Sequence, residues 1–195
     1  MRAKSDNDIK KDIIQAARDI FARYGFRKTT MDEIAQGVHK AKSSIYYYFK
    51  SKEQIFQAIV EKESQILREE ITKAVNQEHT PQKKLRAYVI IRMCTVHRLA
   101  NFYSALKEEY LEHYTFIETI RKKHDEDEIK MIEKLLKGGI ERGVFIVNNL
   151  KITAIAIIIA LKGLEYTWAF EDDVSKTERG MNSLLEILFN GIVKR

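Results

Sequence analysis

The chain has 195 residues and carries 34 Lys and Arg against 28 Asp and Glu, a net charge of +6. One Pro, eight Gly and a single Cys favour an all-α protein and exclude an internal disulfide framework. The polar start MRAKSDNDIKKD lacks a signal-peptide pattern, and the longest apolar run, Ile152–Leu161, falls far short of the ~20 residues that span a bilayer. A cytoplasmic protein without a membrane partner is therefore expected.

In chain order, the first helix is expected from about Asp8 to Tyr24. Ile9, Ile13, Ala17, Ile20, Phe21 and Tyr24 recur at helical spacing, and Gly25 follows as a stop. The next stretch, TTMDEIAQGVHKAKSSIYYYFKSKEQIF (Thr29–Phe56), is the most informative in the chain. Thr30 with Glu33, and Ser51 with Gln54, have the spacing of capping boxes, so helices should start near both. Between them Ile34, Ala35 and Val38 form one apolar face, and Ile45, Tyr48 and Phe49 form another, joined by the tight turn His39-Lys40-Ala41.

This is helix-turn-helix spacing, with Ala35 as the small residue where the helices cross. The second helix, about Lys42–Phe49, would enter the major groove with its N-terminal residues on base edges. Lys42, Ser43, Ser44, Tyr46 and Tyr47 are the residues expected to read the groove; Thr30, Lys50 and Lys52 are expected on phosphates. Charge points the same way. Residues 1–52 hold twelve Lys and Arg against six Asp and Glu, whereas residues 53–195 hold 22 of each. All the excess positive charge therefore lies on the proposed DNA-binding part.

Further along, a long helix should follow Ser51 to about Gln77, with Phe56, Ile59, Val60, Ile66, Leu67, Ile71 and Val75 as its stripe. Such a helix would leave the first domain and enter the next, carrying movement as a rigid tilt. Thr80-Pro81 starts another, with helices expected at about 81–98, 101–113 and 116–142. The last of these contains the mixed run RKKHDEDEIK (Arg121–Lys130), read as a solvated face. Two helices, about Leu150–Phe170 and Lys176–Val193, close the chain. The first is apolar nearly all round, and the second starts at a third capping box, Ser175 with Glu178. They either pair with their copies in a four-helix interface or form the core of one monomer.

Enzyme chemistry finds no support. Cys94 with His97, and Glu109 with His113, are single pairs without a matching second pair, so neither metal nor cofactor is expected. No Gly-rich phosphate loop, nucleophile elbow or H-E-x-x-H motif occurs.

Thr29–Phe56, preceded by an amphipathic helix ending in YGF, resembles the N-terminal domain of TetR-type transcriptional regulators. The stretch GGIERGVF (Gly138–Phe145) is similar to the segment before the last two helices of many members. One departure stands out: His39 and Lys40 occupy turn positions where the family carries Gly and then an apolar residue. The resemblance implies about nine helices, split into a helix-turn-helix domain at 1–52 and a helical effector-binding and dimerisation domain at 53–195. It implies an effector pocket among the central helices, for which Met93, Cys94, His97, Phe102, Tyr103, Tyr110, Tyr166 and Trp168 are candidates. It favours dimerisation through the last two helices, with Ile155, Ile159, Leu184, Leu185, Leu188 and Ile192 at the interface. The expected protein is a homodimeric repressor that binds a near-palindromic double-stranded operator and is released by a small, largely apolar effector. The alternative is a helical ligand carrier or enzyme without DNA function.

Overall fold

The computed structural model describes residues 5–99, 101, 115–169 and 174–192, with side chains reaching residue 164 in the penultimate helix and covering 179–191 in the last. These residues form eight helices and no strand: α1 (Asp6–Tyr24), α2 (Met31–Gly37), α3 (Lys42–Tyr48), α4 (Lys52–Gln77), α5 (Pro81–Arg98), α6 (Thr115–Glu141), α7 (Leu150–Ala169) and α8 (Val174–Ile192). The all-α architecture with an N-terminal helix-turn-helix is thus as the sequence implies. The helix expected at 101–113 lies, apart from Asn101, outside the described residues. The chain packs as two compact units. One holds the described residues up to Ile66 and those between Leu99 and Arg121, and the other holds Leu67–Arg98 and the described residues from Lys122 onward. The division falls inside α4, which contributes to both.

In the first unit the helix starts are set by local side chains. Thr30 Oγ1 accepts from the backbone N–H of Glu33 at 3.3 Å, and Glu33 Oε2 accepts from the N–H of Thr30 at 2.7 Å. α1 begins two residues before the expected Asp8 because Ser5 and Asp8 build the same reciprocal cap, each bond at 3.2 Å. The core is lined by Ile13, Ala17 and Phe21 of α1, Ile34 and Ala35 of α2, Ile45 of α3 and Phe56 of α4. Phe21, Phe26 and Phe56 form a ring cluster with centroid separations of 4.8 to 5.7 Å. Burying each such ring stabilises by about 1.5–3 kcal/mol. Gly37 lies where α2 meets α1: a Cβ there would come within 3.2 Å of Ile20. Buried Glu63 is satisfied by Arg18 Nε at 2.7 Å and Asn101 Nδ2 at 3.1 Å.

The α2 terminus is a Schellman motif. Lys40 N–H donates to Ala35 O, and His39 N–H donates to Gln36 O, both at 3.0 Å. The motif requires a left-handed residue at its second-last position, and His39 takes it with φ 52°. α6 ends the same way, with Gly143 at φ 67° and Val144 N–H donating to Gly139 O at 2.9 Å. There the chain uses glycine, which meets no Cβ penalty; at His39 it does not. Gly139 has a separate duty, because a Cβ on it would lie 2.0 Å from the ring of buried Phe145.

In the second unit α5, α7 and α8 pack on one another, and Leu85, Tyr88, Val89 and Met93 line the core with Ile132, Leu136, Ile158 and Leu161. Inside it lies a polar network. The Arg92 guanidinium, fully buried, grips the Glu128 carboxylate with two N–H groups: Nε on Oε1, and Nη2 on Oε2 at 3.0 Å. Tyr88 Oη donates to Glu128 Oε1 at 2.7 Å, and His124 Nε2 lies 3.0 Å from Oε2. This corrects the reading of Arg121–Lys130 as a solvated face. Lys122, Lys123 and Glu126 are exposed, but His124 and Glu128 are buried. They sit four residues apart on the same stripe as Ile117, Ile132 and Leu136, so the helix period turns them inward. Burial pushes Glu128's carboxyl up, but Arg92 and His124 outweigh it and hold the group well below the usual carboxylate range. The Tyr88 hydroxyl is raised, first by burial and then by the Glu128 charge.

Two outcomes follow from these features. His39→Gly relieves the left-handed strain against a larger loss of chain entropy, so a net gain of about 0.5–1 kcal/mol is expected in urea or thermal unfolding. Because Glu128's folded pKa is depressed, its stabilisation is fully present above the unfolded value near 4.5 and is lost as pH falls from there toward the folded value. Glu128→Gln leaves Arg92 buried without its counter-charge and should cost about 3–5 kcal/mol at neutral pH. Unfolding followed between pH 3 and 7 should show a weaker acid dependence in this variant, and the double change Arg92→Met, Glu128→Leu should restore most of the stability.

Candidate nucleic-acid interface

α2 and α3 have seven residues each, too few to be stable as isolated helices. Their geometry therefore comes from what surrounds them. Ile45 is fully buried beneath α3, and Phe49 closes its C-terminal end from the core side. With Ile45 inward, the opposite face of α3 presents Lys42, Ser43, Tyr46 and Tyr47 to solvent, while Ser44 is half-buried. Tyr47 is 69 % exposed and stacks edge-on against Tyr48 at 4.9 Å. Tyr48 is the anchor of the pair: its hydroxyl donates to Asp6 Oδ1 at 2.9 Å and ties α3 to the first turn of α1. Partial desolvation and that bond to Asp6 raise the Tyr48 hydroxyl above its ordinary value.

The cations around α3 differ in their partners. Lys42 Nζ donates to Asp32 Oδ2 at 2.7 Å, a solvent-exposed link between α3 and the first turn of α2. That bond and the Asp32 charge raise the Lys42 ammonium pKa. Lys50 is exposed, and its Nζ lies 3.4 Å from Tyr46 O. Lys52 is placed otherwise. Its ammonium donates to the carbonyls of Phe26 and Thr29, each at 2.9 Å, reaches Arg27 O at 3.5 Å, and lies 4.5 Å from the centroid of the Phe26 ring. Thr30 is exposed, with its hydroxyl on Glu33.

Of the residues expected from the sequence, Lys42, Ser43, Ser44, Tyr46 and Tyr47 share α3, and Lys50 follows directly after it. Thr30 and Lys52 hold the scaffold through a helix cap and a loop clamp. Sequence reasoning missed Asp32, Tyr48 and Asp6 as supports. Asp32 is ten residues from its partner and Asp6 is forty-two from its own, so spacing gave no cue.

The remaining candidates fall in different settings. Met93 is fully buried, whereas Cys94 and His97 are on the exposed side of α5. Phe102, Tyr103 and Tyr110 lie outside the described residues, as do the side chains of Tyr166, Trp168 and Ile192. On α7 and α8, Leu185 is buried within its own unit, Ile155, Leu184 and Leu188 are half-buried, and Ile159 is 64 % exposed. Ile152 and Ile187 are exposed as well. Among the described residues, His124, Asp125 and Glu128 bring one potential metal ligand each within 4.8 Å of one another. Their carboxylates already face cations, Glu128 against Arg92 and Asp125 against Lys162 Nζ at 2.6 Å.

Comparison with known proteins settles the family. Residues 13–59 match the bacterial regulatory proteins of the tetR family, and residues 68–194 match the C-terminal region of QacR-like proteins. The chain belongs to the TetR family. It is 26 % identical over 193 residues to the HTH-type transcriptional regulator QacR of Staphylococcus aureus (strain Mu50 / ATCC 700699), covering 96 % of this chain and all of that protein. A probable acrEF/envCD operon repressor of Escherichia coli (strain K12) is 25 % identical over 169 residues, covering 82 % of this chain and 75 % of the repressor. A transcriptional regulator from Cytophaga hutchinsonii ATCC 33406 superposes with a TM-score of 0.81 at 27 % identity, over 97 % of this chain and all of that one. The chain is a TetR-family transcriptional regulator with a DNA-binding helix-turn-helix, and no helix among its described residues is long and apolar enough to cross a membrane.

For a TetR-family head, the Lys52 clamp has a measurable consequence. Lys52→Met removes a charged donor from carbonyls near the core and should lower unfolding stability by about 1.5–3 kcal/mol, read by chemical denaturation.

Proposed function

We propose that this TetR-family chain acts as a homodimeric repressor, binding a near-palindromic operator and leaving it when a small, largely apolar effector occupies the second unit. The observation that carries the reading is the outer face of α3, where Lys42, Ser43, Tyr46 and Tyr47 project over a fully buried Ile45. Lys and Ser hydrogen-bond to bases or phosphates, and a Tyr ring covers a thymine methyl. Lys50, exposed beside this face, suits a phosphate. Thr30 and Lys52 serve binding indirectly by holding α2 and the loop before it. Exposed Ile152, Ile159 and Ile187 on α7 and α8 support pairing with a second copy through these helices. α4 belongs to both units, so a change in its second half bears on the position of its first. Effector binding then shifts the population away from the spacing that matches successive grooves.

The test is selection of DNA sites from a random pool, followed by binding measurements across salt concentrations. Lys42→Ala and Tyr47→Ala should lose affinity for the selected site by roughly tenfold or more while nonspecific binding changes less. Lys50→Ala should weaken binding to every sequence and reduce the salt slope by about one. If neither recognition-face variant alters site affinity, α3 is not the reading helix. Sedimentation at micromolar concentration should give a dimer, with Ile159→Glu shifting it to monomer.

A further inference from the structure

The second unit carries a groove of about 560 Å³ between the C-terminal half of α4, the start of α5 and the second half of α6. That volume lies within the range that holds a drug-sized ligand. Its floor is apolar, formed by Val75, Pro81, Met131 and Leu135. Its remaining lining has an unequal charge: Arg68, Lys84, Lys130, Lys134 and Arg142 stand against a single carboxylate, Asp127. This is notable in a segment, residues 53–195, whose Lys and Arg equal its Asp and Glu in number. Two of the five cations have partners within the unit. Arg68 Nη1 lies 3.1 Å from Asp127 Oδ2, and Arg142 Nη1 donates to His79 O at 2.8 Å. Lys84, Lys130 and Lys134 make no ion pair within 4.0 Å among the described residues. Lys130 and Lys134 are also four apart on α6, an arrangement of like charges that costs stability unless something neutralises it.

We propose that this groove binds an anionic amphiphile, a small molecule with a carboxylate or phosphate head and an apolar chain. The head lies among Lys84, Lys130 and Lys134, where it neutralises the repelling pair, and the chain covers the floor around Met131 and Leu135. None of these residues is among the effector candidates on α5 and α7, and the inference does not depend on the DNA-binding reading. A cationic amphiphile of the same length is disfavoured by the same lysines.

Isothermal titration of the full-length protein tests this without DNA, using dodecyl phosphate, dodecanoate, dodecyltrimethylammonium and inorganic phosphate, each below its micelle concentration. Both anionic amphiphiles should bind saturably, and more weakly as salt rises. Lys84→Gln, Lys130→Gln and Lys134→Gln combined should weaken them at least about tenfold, two or more charge-assisted contacts being lost. These side chains lie at or near the surface, and an unchanged far-ultraviolet circular dichroism spectrum verifies that the variant is folded. Leu135→Gln should weaken dodecyl phosphate while leaving inorganic phosphate unchanged. Equal binding of dodecyltrimethylammonium, or undiminished affinity in the triple variant, overturns the charge argument. Inorganic phosphate binding as tightly as dodecyl phosphate overturns the role of the floor, and absence of binding by either anionic amphiphile overturns the proposal as a whole.

Discussion

The DNA-binding head depends on one ammonium group. Lys52 opens α4 and points back at the loop that leaves α1, where its Nζ collects the carbonyls of Phe26 and Thr29 beside the Phe26 ring. Those carbonyls belong to irregular backbone next to a hydrophobic core, where an unmet acceptor is costly. With the loop fixed, Thr30 is in place to cap α2, and α2 in turn positions the turn and α3. A seven-residue helix has no stability of its own to hold this geometry. Buried Ile34 and Ile45 supply the packing, but packing is non-directional. The directional information comes from polar ties: Lys52 at the loop, Lys42–Asp32 between the two short helices, and Tyr48–Asp6 from α3 to α1.

The same ties limit what each lysine can do. An ammonium already sharing its protons with three carbonyls gains little from a phosphate, because it would give up bonds in a part-buried site to make one at the surface. Lys42 is in an intermediate position. Its bond to Asp32 is exposed, so solvent screening makes it weak and exchangeable. In the DNA complex proposed above, a contact from Lys42 would therefore compete with Asp32 rather than with a buried partner.

What was legible in the sequence was local. The Thr30–Glu33 cap, the Thr80-Pro81 start and the helical stripes all reside in windows of a few residues, where spacing alone specifies contact. The turn departure at His39 was legible too, and the structure shows how the chain meets it, with His39 itself adopting the left-handed conformation. Long-range polar partners were not legible, since nothing in spacing joins Lys52 to Phe26 or Arg92 to Glu128. The charged run on α6 marks the boundary between the two cases. Composition suggested a solvated face, yet His124 and Glu128 fall in register with Ile117, Ile132 and Leu136, so periodicity carried a signal that composition hid.

Counting charges by segment identified the basic head correctly, but it averaged away the second unit. There, equal numbers of cations and anions conceal an unequal distribution. Glu128 and Asp125 are matched with Arg92 and Lys162, and Glu70 with Arg98 and Thr95. Around the groove the one lining carboxylate, Asp127, is paired with Arg68, and Lys84, Lys130 and Lys134 line it together with apolar Met131 and Leu135. A lysine's place in this molecule is thus set less by its exposure than by which anion or carbonyl has already engaged it. Lys52 ties the loop after α1 to α4, Lys42 ties α3 to α2, and the groove lysines stand without a carboxylate partner among the described residues.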